Sequence, residues 1–127
     1  MADSMSGVES INAVTLAVAN MGRSVRFYES IGFRVIHGGS DSDFTTFRLG
    51  VQALNLTTES RAGSGFWGRL IFYVGHVDRF HATVIDAGHE PESAPADAPW
   101  GERFFHLDDP DGHQLSFARP IDRRLSR

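Results

Sequence analysis

The sequence predicts an α+β fold built from two βαβββ modules, and three observations carry that expectation. The chain repeats itself: the stretch from Val18 through Asn20, Met21 and Tyr28 to Gly32 has the same length as that from Val74 through His76, Val77 and Val84 to Gly88. Each copy reads as a strand end, a polar hinge, an amphipathic helix and a glycine stop, and a repeat of this size marks a duplicated structural unit. The segments around the helices alternate apolar and polar residues with the period of two that strands require. Finally, four strands with one helix cannot bury both faces of a sheet, so two such halves must pair, within or between chains.

The first module spans residues 11–58, behind a loose tail of residues 1–10. Ile11–Ala19 is a strand with Val14, Leu16 and Val18 on one face and Ala13, Thr15 and Ala17 on the other. Asn20 has the short polar side chain of an N-cap, and Met21–Ile31 follows as a helix with Met21, Val25, Tyr28 and Ile31 on one stripe. Gly32 then sits where a left-handed C′ residue ends a helix. Phe33–His37 and Phe44–Leu49 are strands around a Gly-Gly-Ser-Asp-Ser turn, and Val51–Thr57 is a further strand with Leu54 and Leu56 on the face away from Asn55. Glu59–Gly65 links the halves.

The second module spans residues 66–120. Arg69–Val74 is its first strand, Val77–Ala87 its helix and Gly88 the stop. Glu90–Trp100 holds Pro91, Pro95 and Pro99 and is expected to be a semi-stiff loop rather than a strand. Arg103–Leu107 and Gln114–Ala118 form a hairpin around Asp109-Pro-Asp-Gly112, where proline and glycine favour chain reversal. Residues 121–127 form a C-terminal tail, in which Arg123, Arg124 and Arg127 continue from Arg119 as a small solvated basic end.

Composition narrows the function. At 127 residues the chain is one domain's worth, and its net charge of −4 offers nothing to nucleic acid or an anionic membrane. There is no cysteine, which excludes disulfides, thiolate metal sites and a cysteine nucleophile. No apolar run reaches membrane-spanning length and the first ten residues are too polar for a secretory signal, so the expected location is the cytoplasm.

Two segments carry a family resemblance: Val14–Phe33, with its Asn20-Met-Gly-Arg-Ser-Val-Arg-Phe-Tyr28 core, and Trp100–Phe117, with Phe105-His-Leu-Asp-Asp-Pro-Asp-Gly112. Together with the repeat they make the chain, from about Ile11 to Pro120, similar to the vicinal oxygen chelate superfamily of glyoxalase I, extradiol dioxygenases, fosfomycin-resistance enzymes and bleomycin-resistance proteins. The resemblance implies curled mixed sheets around a cavity, the glyoxalase/bleomycin-resistance fold, usually in a homodimer. It also implies four cavity positions where metal-binding members place histidine or glutamate. Here those positions hold Ala13, Asn55, Arg69 and Ser116. A methyl group and a guanidinium do not ligate divalent metals, and an arginine repels them. No metal and no cofactor are therefore expected.

Alternation selects the residues that would line the cavity. From the first module they are Thr15, Phe44, Thr46, Arg48, Ala53 and Asn55; from the second, Arg69, Ile71, Tyr73, Phe104, His106 and Ser116, with Trp100 at the rim. An aromatic pocket with two arginines suits a planar or amphipathic organic ligand, with Trp100 and Tyr73 to stack on a ring and Arg48 or Arg69 to clamp an anion. The blander alternative pairs those arginines with acidic neighbours such as Glu102. Glu90–Trp100 is read as a lid over the cavity. Of the six histidines, His37 and His113 read as turn residues and His76, His81 and His89 as helix ends or surface. His106 alone shares a strand face with Phe104 and is the one candidate acid or base.

Three functions compete. The preferred one is metal-independent binding of a small aromatic or anionic molecule, in the manner of bleomycin-resistance sequestration. The second is a glyoxalase- or dioxygenase-family enzyme (a lyase, isomerase or oxygenase), either metal-dependent or using His106 with Arg48 or Arg69 steadying an oxyanion. The third is a non-catalytic structural dimer. The expected assembly is a homodimer in which Arg48 and Asn55 of one chain meet Arg69, His106 and Ser116 of the other.

Overall fold

The computed structural model describes Gly7, residues 10–59 and residues 67–121. The chain divides into two compact units, Met1–Arg61 and Ala62–Arg127. Most of the linker at Glu59–Gly65, most of both tails, and Arg123, Arg124 and Arg127 lie outside the described residues.

The first unit runs β1 (Ala13–Ala17), α1 (Met21–Ser30), β2 (Arg34–His37), β3 (Phe44–Leu49) and β4 (Gln52–Thr57), with sheet order β1-β4-β3-β2. The second runs β5 (Arg69–Tyr73), α2 (Val77–Asp86), β6 (Ala96–Asp97), β7 (Glu102–Asp108) and β8 (Gln114–Pro120), with order β5-β8-β7-β6. The topologies are identical: in each, the first strand lies parallel to the last and the other pairings are antiparallel. The fold is thus α+β with two βαβββ modules, each a four-stranded mixed sheet. No helix of the described residues is long and apolar enough to cross a membrane.

Local chemistry sets the helix limits. The Asn20 side chain accepts the Arg23 backbone N–H at 2.9 Å, and His76 plays the same part for Arg79 at 3.2 Å. Gly32 and Gly88 follow the two helices with φ of 103° and 95°, the left-handed conformation that glycine reaches without strain. Gly38 is more tightly bound to its type: a Cβ there would stand 2.2 Å from the Phe44 carbonyl oxygen.

Each helix covers one face of its sheet. In the first module Val14, Leu54 and Phe47 share a cross-strand row, as do Leu16, Leu56 and Thr45. Met21, Val25 and Tyr28 of α1 close over them, and Tyr28 meets Phe33 and Phe47 at centroid distances of 5.0 and 5.4 Å. In the second module the rows are Leu70, Leu115, Leu107 and Phe72, Phe117, Phe105. Phe80 of α2 packs on Phe117 at 4.7 Å, but within α2 only Val77 and Val84 are fully buried.

One expectation needs correction. Glu90–Trp100 is not wholly a loop, because Ala96 and Asp97 pair with Phe104 and Arg103 as the edge strand β6. Proline is tolerated beside an edge strand, whose outer N–H groups bond nothing. The Arg103 guanidinium fastens the edge, donating to Asp97 at 2.9 Å and to Asp78 in the first turn of α2 at 2.7 Å. Those bonds hold the Asp78 carboxyl below its usual range. Ala98 is buried and donates its N–H to the Glu102 carbonyl at 2.7 Å, while the Glu92 N–H donates to the His106 carbonyl at 3.0 Å. The segment read as a lid is hydrogen-bonded to β7.

Candidate functional site

The face of each sheet opposite its helix carries the residues selected by alternation, and the register arranges them in rows. On the first module the rows are Ala13–Ala53–Arg48, Thr15–Asn55–Thr46 and Ala17–Thr57–Phe44. On the second they are Arg69–Gln114–Asp108, Ile71–Ser116–His106 and Tyr73–Ala118–Phe104. Row for row these positions correspond, so Thr46 matches His106 and Phe44 matches Phe104.

The first module's middle row satisfies itself. The Thr46 hydroxyl donates to Asn55 Oδ1 at 2.7 Å, and Asn55 Nδ2 donates to Thr15 Oγ1 at 3.2 Å. The amide is thereby committed in both directions. Arg48, beyond it, is exposed and donates to the Gly50 carbonyl at 3.3 Å. Phe44 is 41% exposed.

The second module's open face is different in kind. Trp100 lies against Phe104 at 5.9 Å with an interplanar angle of 30°, and Phe104 meets His106 at 5.0 Å, forming an aromatic ladder along β7. Trp100, Tyr73 and Ile71 are 69%, 60% and 61% exposed. The buried Nδ1 of His106 has no hydrogen-bond partner. Burial, and then the nearby Arg69 charge, push the His106 pKa down against the opposing pull of Glu92 and Asp108, which favours the neutral ring. Burial also raises the Asp108 carboxyl, helped by Glu92 and Asp109.

Arg69 marks one end of this face. Its Nε donates to Gln114 Oε1 at 2.6 Å, and Gln114 Nε2 donates to Glu92 at 2.9 Å. Arg69 forms no ion pair within its unit among the described residues. Glu102 instead accepts from the Tyr73 hydroxyl and, at 3.1 Å, from the Trp100 indole N–H. The bond to Glu102 raises the Tyr73 pKa.

Sequence reasoning missed four residues here: Gln114 and Glu92 behind Arg69, Glu102 as partner of the aromatics, and Trp67. Trp67 donates its indole N–H to His113 Nδ1 at 2.7 Å. Its parity with Arg69, Ile71 and Tyr73 was the available signal. His37 ends β2 rather than occupying the turn, and His81 packs edge-on against Phe105 at 4.9 Å. Away from the ladder, residues 74–76 with Arg79, Phe80 and Thr83 line a depression of about 530 Å³.

The four positions that the family resemblance implies for a metal are related by register as well. Ala13 pairs with Ala53, two residues before Asn55, and Arg69 pairs with Gln114, two residues before Ser116. A methyl group and a guanidinium do not ligate a divalent cation, and the amide of Asn55 and the hydroxyl of Ser116 alone do not make up a ligand set. Among the described residues no three His, Asp or Glu side chains group so as to hold one.

Comparison with known proteins agrees with this geometry. The sequence profile of the Glyoxalase/Bleomycin resistance protein/Dioxygenase superfamily matches residues 10–117. No curated protein matches the chain. Among solved structures, TioX from Micromonospora sp. ML1 is similar at 24% identity and a TM-score of 0.74, over 88% of this chain and 99% of that one. A glyoxalase/bleomycin resistance protein/dioxygenase from Nocardioides has 20% identity and a TM-score of 0.73, over 94% and 89%. A lactoylglutathione lyase from Agrobacterium tumefaciens has 20% identity and a TM-score of 0.73, over 87% and 93%.

Proposed function

We propose a function from this premise: the chain belongs to the Glyoxalase/Bleomycin resistance protein/Dioxygenase superfamily, and within it acts as a metal-independent binder of a small planar organic molecule. The observation that carries the reading is the Trp100–Phe104–His106 ladder, which runs from an exposed indole to a buried imidazole nitrogen that has no hydrogen-bond partner among the described residues. Large exposed aromatics with few polar groups at fixed points are the usual make-up of a ligand surface. The ring system of the ligand stacks on Trp100 and Phe104, its hydrogen-bonding group meets His106, and an anionic group meets the Nη1 and Nη2 donors of the Arg69 guanidinium. The residues at the family's metal positions favour binding over metal chemistry.

The test is calorimetric titration with a panel of planar aromatic carboxylates. Binding that weakens at least tenfold in Arg69→Ala supports the reading, and a panel without a binder down to millimolar affinity sinks it.

His106 favours a second reading. A neutral, shielded imidazole beside an arginine is suited to act as a general base with a neighbouring oxyanion stabiliser. An enzyme of this kind needs His106 for turnover, so undiminished turnover by His106→Ala on an identified substrate rejects it. The assembly we propose with either reading is a homodimer in which Arg48 and Asn55 of one chain meet Arg69, His106 and Ser116 of the other; a monomer in sedimentation at micromolar concentration speaks against it.

A further inference from the structure

The end of the ladder away from Arg69 carries the opposite charge. Glu102 receives two hydrogen bonds there, from Tyr73 and Trp100, and both donors are neutral. Among the described residues no cation pairs with it: Arg103 on the same strand is committed to Asp78 and Asp97 on the helix side. No positive side chain among the described residues therefore offsets this carboxylate.

Its two donors reach it through the N–H and O–H at their ring edges, so it does not cover their faces; Phe104 takes one face of Trp100 and leaves the other open. Trp100 is 69% exposed and Tyr73 60% exposed. Aromatic faces attract cations through their quadrupole. An indole or phenol that donates to a carboxylate is polarised toward a more electron-rich ring, which strengthens that attraction. An uncompensated carboxylate flanked by the exposed rings of Trp100 and Tyr73 matches a positively charged organic group and repels an anionic one.

We infer that the Glu102 end of this face is a subsite for an organic cation, an ammonium or protonated aromatic amine, flanked by Trp100 and Tyr73. This rests on the reading of the face as a ligand site and adds the ligand's polarity. Tyr73 lies four residues along β5 from Arg69, a separation of about 13 Å at strand rise. A ligand filling both ends is basic at Glu102, flat in the middle, and anionic or hydrogen-bond accepting at Arg69.

The experiment compares three probes: benzyltrimethylammonium, its uncharged isostere neopentylbenzene, and phenylacetate. Each is titrated at low salt into the full chain while the Trp100 indole N–H is followed by NMR, the signal being assigned with Trp67→Phe. Benzyltrimethylammonium is expected to shift that signal and to bind about tenfold more tightly than neopentylbenzene. Glu102→Gln is expected to reduce the preference severalfold and leave the hydrocarbon's affinity unchanged. Equal affinity of the native protein for the two probes overturns the inference, as does a preference undiminished in Glu102→Gln. Failure of all three probes to bind instead overturns the ligand-site reading itself, and the cation subsite with it. Should Glu102→Gln fail to fold, as judged by circular dichroism, Trp100→Leu at its exposed position takes its place, with binding read by calorimetry. It is expected to weaken the cation more than the hydrocarbon, and equal weakening counts against the flanking rings.

Discussion

The two modules share one topology and one register, yet their open faces have opposite character. In the first, Thr15, Asn55 and Thr46 bond one another across three strands. In the second, the same row holds Ile71, Ser116 and His106, and the buried His106 Nδ1 bonds nothing. An isoleucine in place of a threonine removes the group that completes the network. The difference extends to the helices, since α1 buries Met21, Ser24, Val25, Phe27 and Tyr28 whereas α2 buries only Val77 and Val84. A duplicated fold can thus divide labour: one copy closes its polar groups and packs well, and the other leaves polar atoms open for something else to meet.

The largest expected effect tests whether the two cores are equivalent beneath those faces. Phe47→Ala and Phe105→Ala each remove a fully buried ring and should each cost about 3–5 kcal/mol in urea unfolding. A loss under about 1 kcal/mol at Phe105 alone would show that the second module is the looser one. Next comes the asymmetry of binding. Trp100→Ala should weaken a planar aromatic ligand by about tenfold, the scale of one lost stacking contact, and its removal should matter more than Phe44→Ala. Equal losses in titration would return the two faces to parity.

A smaller effect is expected within the first module's network. Asn55→Ala strands two threonine hydroxyls that water can partly reach, and should lower stability by about 1 kcal/mol. The smallest concerns pH. His106 has its folded-state pKa below the ordinary 6.5, so above that value both states are neutral and its contribution is complete. As pH falls below 6.5 the unfolded chain takes up the proton first, and stability drops until the folded-state pKa is passed. His106→Gln should flatten the stability profile in that window just below 6.5. An unchanged slope would place the proton uptake elsewhere.

The fold was legible because its signals are local or repeated. Asn20 before a stripe of Met21, Val25 and Tyr28, and Gly32 after it, need no tertiary information. The composition of each open face was legible too, since alternation assigns faces without knowing partners. Partners were the gap. That Arg69 meets Gln114, or that Glu102 meets Tyr73, depends on a parallel register across many residues, and no periodicity encodes it. The edge strand β6 was hidden for another reason: Pro95 and Pro99 bracket Ala96 and Asp97, and the pairing that overrides their loop character comes from Arg103 on a different strand.

The parallel pairing of first and last strands also bears on how each module is made. Ala13 waits for Ala53 and Arg69 for Gln114, so neither sheet is complete until almost the whole module has been synthesised. Contacts between residues so distant in sequence require loop closure before any pairing is gained, which slows folding. Until β4 or β8 arrives, β1 and β5 have no neighbour, and their unpaired backbone groups are open to the strands of other chains. Leaving the ribosome, the first half can seal itself while the second is still emerging, and the half that carries the aromatic ladder is the last to be protected.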